Sequence, residues 1–199
     1  MEIAVFGGSF NPPTKAHEAI IEACLADERL DQVWVMPSAE RADKPGLLRD
    51  SVRLEMLDVL KRERFNNDAK LVISDWELQD YQRSGRQTET IRTSRQLANW
   101  RPQDRFRFVF GADSYADMPN WRGGEAMQRT IGMLLVPRSG YTLPAETERL
   151  HVIADAPIFE TGVSSTVVRA AAAAGLQLAG LVCEPIEQYI VNHKLYQAV

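Results

Sequence analysis

The 199-residue sequence is poor in cysteine and histidine and has no long apolar run. Its two cysteines, Cys24 and Cys183, lie far apart and outside any CxxC or Cys/His spacing, which argues against a disulfide framework and a zinc knuckle. The least polar stretch, residues 170–183, contains a glutamine and two glycines and is too short to cross a bilayer as a helix. The sequence therefore predicts a cytoplasmic protein without a membrane span.

An excess of positive charge is also missing. The chain has 23 Lys and Arg against 27 Asp and Glu, for a net charge of -4, which argues against nucleic acid as a partner. The 45% hydrophobic and 25% charged residues are typical of a globular protein. Because a chain of this length buries roughly 70% of its unfolded surface, one domain with its own core is expected.

Short apolar runs alternate with longer segments of helical spacing, which predicts an α/β protein with a mostly parallel sheet. Strands are predicted at residues 3–6, 32–36, 71–74, 106–110 and 131–136, with a further one at 151–154. Helices are predicted at residues 15–29, 51–64, 88–100, 165–174 and 185–192. Polar segments 37–50 and 75–87 are predicted to be loops, and we expect specificity to reside there because ligands bind where loops leave the carboxyl ends of parallel strands.

A glycine-rich turn joins the first strand to the first helix. It reads Gly7-Gly8-Ser9-Phe10-Asn11-Pro12-Pro13-Thr14-Lys15-Ala16-His17. Glycines allow backbone N–H groups to approach a phosphate, and the start of the helix adds partial positive charge. The turn matches neither GxGxxG nor GxxxxGK[ST], so the two commonest nucleotide motifs do not describe it.

Thr14 is predicted to cap the first helix, with His17 on the same face. A capping box would have Glu or Gln at that third position. His17 and Lys15 instead bring positive charge to a helix end where it costs roughly 0.3–1 kcal/mol. We predict that a bound anion compensates this cost, against the alternative that His17 packs on the sheet as a neutral side chain.

A second cationic helix start lies at residues 161–169. The hydroxyls of Ser164, Ser165 and Thr166 cluster where helix N–H groups are unpaired, and Arg169 lies one turn beyond Ser165. Such hydroxyls and a guanidinium can clamp a polyphosphate. The alternative is an ordinary hydroxyl cap beside a solvated arginine.

Together these two motifs resemble the nucleotidyltransferase family of the H-x-G-H type, whose signatures are GG-x-F-x-P-x-[H/T]-x-G-H and I-S-S-T-x-[I/V]-R. Within that family the chain resembles the bacterial nicotinate mononucleotide adenylyltransferases. The likeness continues along the chain in Asp43-Lys44-Pro45 (H-K-P), Arg53-Leu54-Glu55-Met56-Leu57 (R-L-x-M-L), Gly111-Ala112-Asp113 (G-x-D), Pro119-Asn120-Trp121, Pro137-Arg138-Ser139-Gly140-Tyr141 (R-P-G-Y), and Tyr189-Ile190 with Leu195-Tyr196 (Y-I…L-Y).

The resemblance implies a Rossmann-like, doubly wound parallel sheet with the nucleotidyltransferase fold. It implies a single domain over residues 1–199, with residues 164–199 as its helical C-terminal portion. The implied reaction transfers the adenylyl group of ATP, with Mg²⁺, to the phosphate of nicotinate mononucleotide, forming deamido-NAD and pyrophosphate. Whether the chain forms a homo-oligomer is left open.

The resemblance also implies a set of site residues. The implied catalytic residues are His17, Thr14 and Arg169. Those implied for ATP are Gly7, Gly8, Ser9, Phe10, Thr14, His17, Gly111, Asp113, Arg138, Ser164, Ser165 and Arg169. Those implied for the pyridine mononucleotide are Lys44, Gln87, Thr88 and Trp121, and no protein ligand set for a metal is implied.

The chain departs from the family pattern at several positions. Ala16 replaces the motif glycine, Asp43 replaces the histidine before lysine, and Gln87 stands where the family has the threonine that reads the pyridine carboxyl group. Two alternatives therefore stay open: the same chemistry on nicotinamide mononucleotide or pantetheine phosphate, and an ATP-binding regulator without turnover. A Rossmann oxidoreductase is disfavoured by the missing GxGxxG motif.

Overall fold

The computed structural model describes residues 1–39, 46–87, 89–121, 123–153, 156 and 162–197. In this part of the chain, six strands form one sheet in the order β3-β2-β1-β4-β5-β6, and every neighbouring pair is parallel. The strands are β1 (Glu2–Gly8), β2 (Gln32–Pro37), β3 (Leu71–Ile73), β4 (Arg105–Gly111), β5 (Gly132–Val136) and β6 (Leu150–Val152). All predicted strands are confirmed, with ends that differ by one to a few residues.

Helices connect the strands and complete the C-terminal portion. They are α1 (Lys15–Ala26), α2 (Asp50–Arg64), α3 (Trp76–Ser84), α4 (Thr90–Trp100), α5 (Ala112–Asp117), α6 (Gly124–Thr130), α7 (Ser165–Ala173) and α8 (Glu184–Asn192), with a 3-10 turn at Met118–Asn120. The five predicted helices are present. None of the helices in the described ranges is long and apolar enough to cross a membrane.

The prediction of a loop over residues 75–87 is wrong, because α3 occupies most of it. Only Trp76 and Leu78 are large apolar residues there, so no repeating apolar face signals a helix. Gly85, in the left-handed conformation with φ +63°, ends α3 and was the available local signal. Helices α5 and α6 were not predicted, since six or seven residues are too few to display a period.

Both faces of the sheet are buried, which explains why its strands are almost continuously apolar. Alternate residues of β1 point to opposite sides: Ala4 packs in a core with α1, α2 and α8, while Ile3 and Val5 pack in a core with α4 and α6. The strand order reverses between β1 and β4. Parallel sheets of this kind bind ligands in the crevice at that point, beyond the carboxyl ends of the strands.

Candidate active site

A cavity of about 1200 Å³ opens at the carboxyl ends of β1, β4 and β5. It lies at the point of reversal that the strand order defines. Most of the residues implied by the sequence line this one cavity, namely Gly7, Gly8, Ser9, Thr14, His17, Gln87, Gly111, Asp113, Trp121, Arg138, Ser164 and Ser165. Phe10 and Arg169 are not on its wall, and Lys44 and Thr88 lie outside the described residues.

The start of α1 sets the chemical state of His17. Thr14 is the N-cap, as predicted, and its backbone N–H donates to Nδ1 of His17 at 2.9 Å. Thr14 Oγ1 also lies 2.9 Å from the same nitrogen. Because an amide N–H can only donate, Nδ1 is an acceptor, and the proton of the neutral ring is on Nε2. His17 thereby offers an N–H donor at the cavity wall.

This geometry corrects the expectation that His17 leaves the capping rule without compensation. The imidazole takes the place of the usual Glu or Gln in the capping box by accepting from the N-cap amide. A neutral ring adds no positive charge to the helix start, so the electrostatic cost expected there does not arise.

Two aromatic rings support His17 from the side of the core. The Phe10 ring is buried and its centroid lies 5.0 Å from the imidazole, and the ring of Phe6 lies 5.5 Å from that of Phe10. A Cβ at Gly8 would come within 3.1 Å of the Phe10 ring, whereas one at Gly7 would meet open space. The missing side chain at Gly8 therefore leaves room for the Phe10 ring, and the missing side chain at Gly7 leaves open space beside the backbone.

Arg53 of α2 holds the glycine-rich turn from below. Its side chain is fully buried, and its Nη1 donates to the carbonyl of Ser9 at 2.8 Å. Its other contacts are the carbonyl of Leu48 at 3.2 Å and the carboxylate of Asp50 at 2.6 Å. A buried guanidinium is tolerated only when paired in this way, so Arg53 fixes the turn to α2.

The start of α7 holds the same turn from the other side. Ser164 caps α7 by accepting from the amide of Val167 at 3.3 Å, and Ser165 donates to the carbonyl of Pro12 at 2.8 Å. Arg169 donates through Nη1 to the carbonyl of Asn11 at 2.8 Å. The two helix starts singled out in the sequence therefore meet at one loop, beside the cavity.

At the ends of β4 and β5, three residues form a compact polar group. A Cβ at Gly111 would lie 2.2 Å from Oδ1 of Asp113 and 3.0 Å from Nε of Arg138. Oδ1 of Asp113 and Nε of Arg138 lie 3.5 Å apart, beside the backbone of Gly111. Oδ1 of Asp113 is buried and has no hydrogen-bond partner among the described residues, which suits it to accept from a ligand hydroxyl.

Trp121 and Gln87 both line the cavity. The indole N–H of Trp121 donates to Asp117 at 2.9 Å, and its ring meets Phe110 edge to face at 6.2 Å. Hydrogen bonds from Asn120 and Trp121 lower the pKa of the Asp117 carboxyl. The tryptophan ring is therefore anchored in one orientation.

The sequence reasoning missed two acidic residues on the wall, Glu77 and Glu89. Glu77 is buried and accepts from the hydroxyl of Thr93 on α4 at 2.8 Å. Glu77 belongs to no motif and lies in a segment predicted to be a loop. Glu89 lies in the segment that carries Gln87, at a position to which the family pattern assigns no residue type. Within the described ranges, no cluster of three or more His, Cys, Asp or Glu residues could hold a metal ion.

Comparisons with known proteins identify the family of the chain. Residues 5–171 match the family described as cytidylyltransferase-like. A "probable nicotinate-nucleotide adenylyltransferase" of Chlorobium luteolum is 32% identical, with 99% of each chain covered. A protein of the same printed name from Thermus thermophilus is 33% identical, covering 99% of this chain and all of its own. The chain belongs to this family of nucleotidyltransferases.

A solved structure of lower sequence identity supports the fold of this nucleotidyltransferase. Plasmodium falciparum nicotinic acid mononucleotide adenylyltransferase, complexed with NaAD, superposes with a TM-score of 0.79 at 20% identity, covering 98% of this chain and 97% of its own. The Rossmann-like doubly wound sheet that the resemblance implied is thereby confirmed.

Proposed function

We propose that this chain transfers the adenylyl group of ATP to the phosphate of nicotinate mononucleotide. An oxygen of the mononucleotide phosphate bonds to the α-phosphorus of ATP, and the bond from that phosphorus to the oxygen of the β-phosphate breaks. The products are deamido-NAD and pyrophosphate, so the activity belongs to NAD biosynthesis.

The observation that carries the proposal is the placement of His17. Thr14 holds the His17 ring on the wall of the cavity at the strand-order reversal, with the ring proton on Nε2, in a chain that matches nicotinate-nucleotide adenylyltransferases over its full length. An N–H donor at that point suits a reaction whose charge develops on phosphate oxygens.

The chemistry asks for positioning rather than for a base. The attacking phosphate is already anionic, so no proton has to be removed from it. Catalysis then comes from alignment and from stabilising charge on the equatorial oxygens and on the departing pyrophosphate. We assign His17 to the α- and β-phosphates, and Thr14 with the amides of Gly7 and Gly8 to the polyphosphate. Ser164, Ser165 and, on the resemblance, Arg169 are assigned to the β- and γ-phosphates.

The adenosine and acceptor portions take the remaining residues. Asp113 accepts from a ribose hydroxyl, and Arg138 balances its charge. Trp121 stacks on the pyridinium ring, because the positive charge of that ring is attracted to the face of an indole. Gln87, Thr88 and Lys44 remain assigned to the acceptor on the resemblance, Lys44 for its phosphate.

We expect Mg²⁺ to accompany the triphosphate, and the resemblance implies no set of protein ligands for it. Such an ion would be held mainly by phosphate oxygens and water. As an alternative to the ribose hydroxyl, the Asp113 carboxylate, whose Oδ1 has no hydrogen-bond partner among the described residues, would accept from a water bound to the ion. When bound, the ion neutralises charge on the phosphates.

We further propose that residues 1–199 act as one domain in the cytoplasm. The six strands of the described chain share one sheet, which supports a single domain. Both cysteines are free thiols, which accords with a reducing compartment.

The test is pyrophosphate release from Mg²⁺-ATP in parallel reactions with nicotinate mononucleotide, nicotinamide mononucleotide, pantetheine phosphate and no acceptor. We expect release that strongly favours nicotinate mononucleotide. His17→Ala is expected to lower kcat by about 10²- to 10³-fold, the usual effect of losing one oxyanion donor. Its loss of stability should be about 1–3 kcal/mol, because a capping contact and the packing of the ring on Phe10 both disappear.

Each other outcome has a distinct meaning. Preference for another acceptor would keep the chemistry and change the substrate. Tight ATP binding with no release in any reaction would favour a regulator over an enzyme. An unchanged rate in the His17→Ala variant would remove the role assigned to that residue.

A further inference from the structure

The C-terminal end of the chain reaches the glycine-rich turn through Tyr196. The Tyr196 hydroxyl donates to Oδ1 of Asn11 at 2.9 Å, a contact between residues 185 positions apart. Asn11 is 2% exposed, and the amide of Leu48 also points at its Oδ1, at 3.4 Å. Because an amide can only donate, Oδ1 is the acceptor and the tyrosine is the donor.

Asn11 connects this contact to the residue assigned to the outer phosphates. The backbone carbonyl of Asn11 accepts from Nη1 of Arg169, and its side chain accepts from the Tyr196 hydroxyl. Asn11 therefore links Tyr196 to Arg169. The second nitrogen of Arg169 donates to Thr166 at 3.2 Å. Arg169 is thus oriented by one contact on its own helix and one on the turn.

The surroundings keep the Tyr196 hydroxyl in its donating form. Burial raises the pKa of Tyr196, and the nearby guanidinium groups of Arg169 and Arg53 oppose that rise without cancelling it. The hydroxyl is therefore protonated throughout the neutral range. Its ring packs against the core beside α8, which leaves the hydroxyl directed at the turn.

We infer that Tyr196 is a positioning residue for ATP, acting through Asn11 on Arg169 and on the turn that presents the phosphate-binding amides. This inference rests on the proposed function. Tyr196 touches no substrate itself, so its removal should weaken the hold on the ATP phosphates while leaving the acceptor portion of the cavity unchanged.

The test is Tyr196→Phe, which retains the ring and removes only the donor. We expect KM for Mg²⁺-ATP to rise about 3- to 10-fold, as loss of one buried hydrogen bond would produce. KM for nicotinate mononucleotide should change less than 2-fold. Calorimetry with Mg²⁺-ATP alone, without acceptor, should show the same weakening of Kd.

Two further variants separate positioning from simple destabilisation. Tyr189→Phe is the matched control, because its hydroxyl donates to Glu55 on α2 rather than to the turn, and it should leave KM for ATP unchanged. In an Arg169→Lys background, Tyr196→Phe should add less than 2-fold, since both changes then act on one connected set of contacts.

An unchanged KM and Kd for ATP in Tyr196→Phe, with or without a lower Tm, would overturn the inference. So would equal increases in KM for both substrates, or full additivity with Arg169→Lys. If the wild-type chain shows no turnover at all, the proposed function fails, and the ATP calorimetry still decides the role of Tyr196.

Discussion

Gly7 and Gly8 are neighbours on β1, yet the missing side chain has a different consequence at each. At Gly8 a Cβ would press on the buried Phe10 ring, which in turn packs against His17. At Gly7 a Cβ would project into open space on the cavity wall. Neither Gly7 nor Gly8 has a positive φ, so neither is required for a left-handed backbone. What matters at both positions is the small size of the residue, which allows the Phe10 ring to pack at Gly8 and a ligand to approach at Gly7.

Gly7→Ala should separate binding from stability. The free energy of unfolding is expected to stay within about 0.5 kcal/mol of wild type, since the added methyl meets no protein atom. KM for Mg²⁺-ATP should rise about 10-fold or more, because the methyl stands where backbone amides approach phosphate. Urea unfolding and initial rates measure the two quantities.

Gly8→Ala is the matched comparison, and it is expected to lower the free energy of unfolding where Gly7→Ala does not. Its Cβ would lie 3.1 Å from the Phe10 ring, so unfolding should become easier by about 1–3 kcal/mol as the ring shifts. Equal stability of the two variants would contradict the distinction drawn between these glycines.

At the scale of elements, α3 and α4 contribute residues to the cavity wall and are joined by a buried polar contact. Glu77 of α3 accepts from Thr93 of α4, and both side chains are buried. Glu77 and Thr90 are also on the wall. The pairing thus fixes α3 to α4 at the part of the site that we propose for the acceptor.

Thr93→Val keeps the shape of the side chain and removes its hydroxyl. We expect unfolding to become easier by about 1–3 kcal/mol, because a buried carboxylate loses a donor. KM for the acceptor should increase more than KM for ATP. Thr130→Val on α6 serves as control, since its exposed hydroxyl donates to the carbonyl of Ala126 one turn earlier on the same helix. A comparable loss of stability there would show that the effect is not specific to the cavity wall.

Over the whole molecule, one group of ion pairs lies away from the cavity wall. Arg29, between α1 and β2, pairs with Asp27 at 2.7 Å and with Glu146 at 3.4 Å, and it also donates to the carbonyl of Val152, the last residue of the edge strand β6. None of these four residues is on the wall of the cavity. Changes among them should alter stability and spare catalysis.

The pH dependence of stability tests this separation through Asp27. Hydrogen bonds and charge from Arg29 lower the pKa of the Asp27 carboxyl from 3.8, although burial opposes them. A lowered folded-state pKa means that the stabilisation is complete above the unfolded value and is lost as pH falls through the folded one. Asp27→Asn should be less stable than wild type by about 1–2 kcal/mol at pH 7. The difference should shrink as pH falls below 3.8 and vanish only below the lowered folded-state pKa.

Unfolding curves measured from pH 7 down to pH 2 provide this comparison. Asp58→Asn, at an exposed position of α2, is the control and should stay within about 0.5 kcal/mol of wild type throughout. A difference for Asp27→Asn that is constant with pH would show that its carboxylate charge is not what stabilises the fold. Adenylyl transfer at pH 7.5 should be unaffected in both variants.

The sequence by itself determined the sheet and the two helix starts that we propose bind phosphate. Strands buried on both faces need continuous apolar runs, and a helix start that receives an anion needs glycines, hydroxyls and a cap within a few residues. Both are local requirements, visible in residues 3–17 and 164–169. For the same reason most of the implied site residues are found on one cavity wall.

Tertiary structure alone decided what holds that site in place. Helix α3 has no apolar period, and its identity depends on packing and on Glu77 meeting Thr93. The contacts of Arg53 with Ser9 and of Tyr196 with Asn11 join residues 44 and 185 positions apart. A contact between distant residues leaves no periodic trace in a single sequence, because the chain must first fold to bring the two partners together.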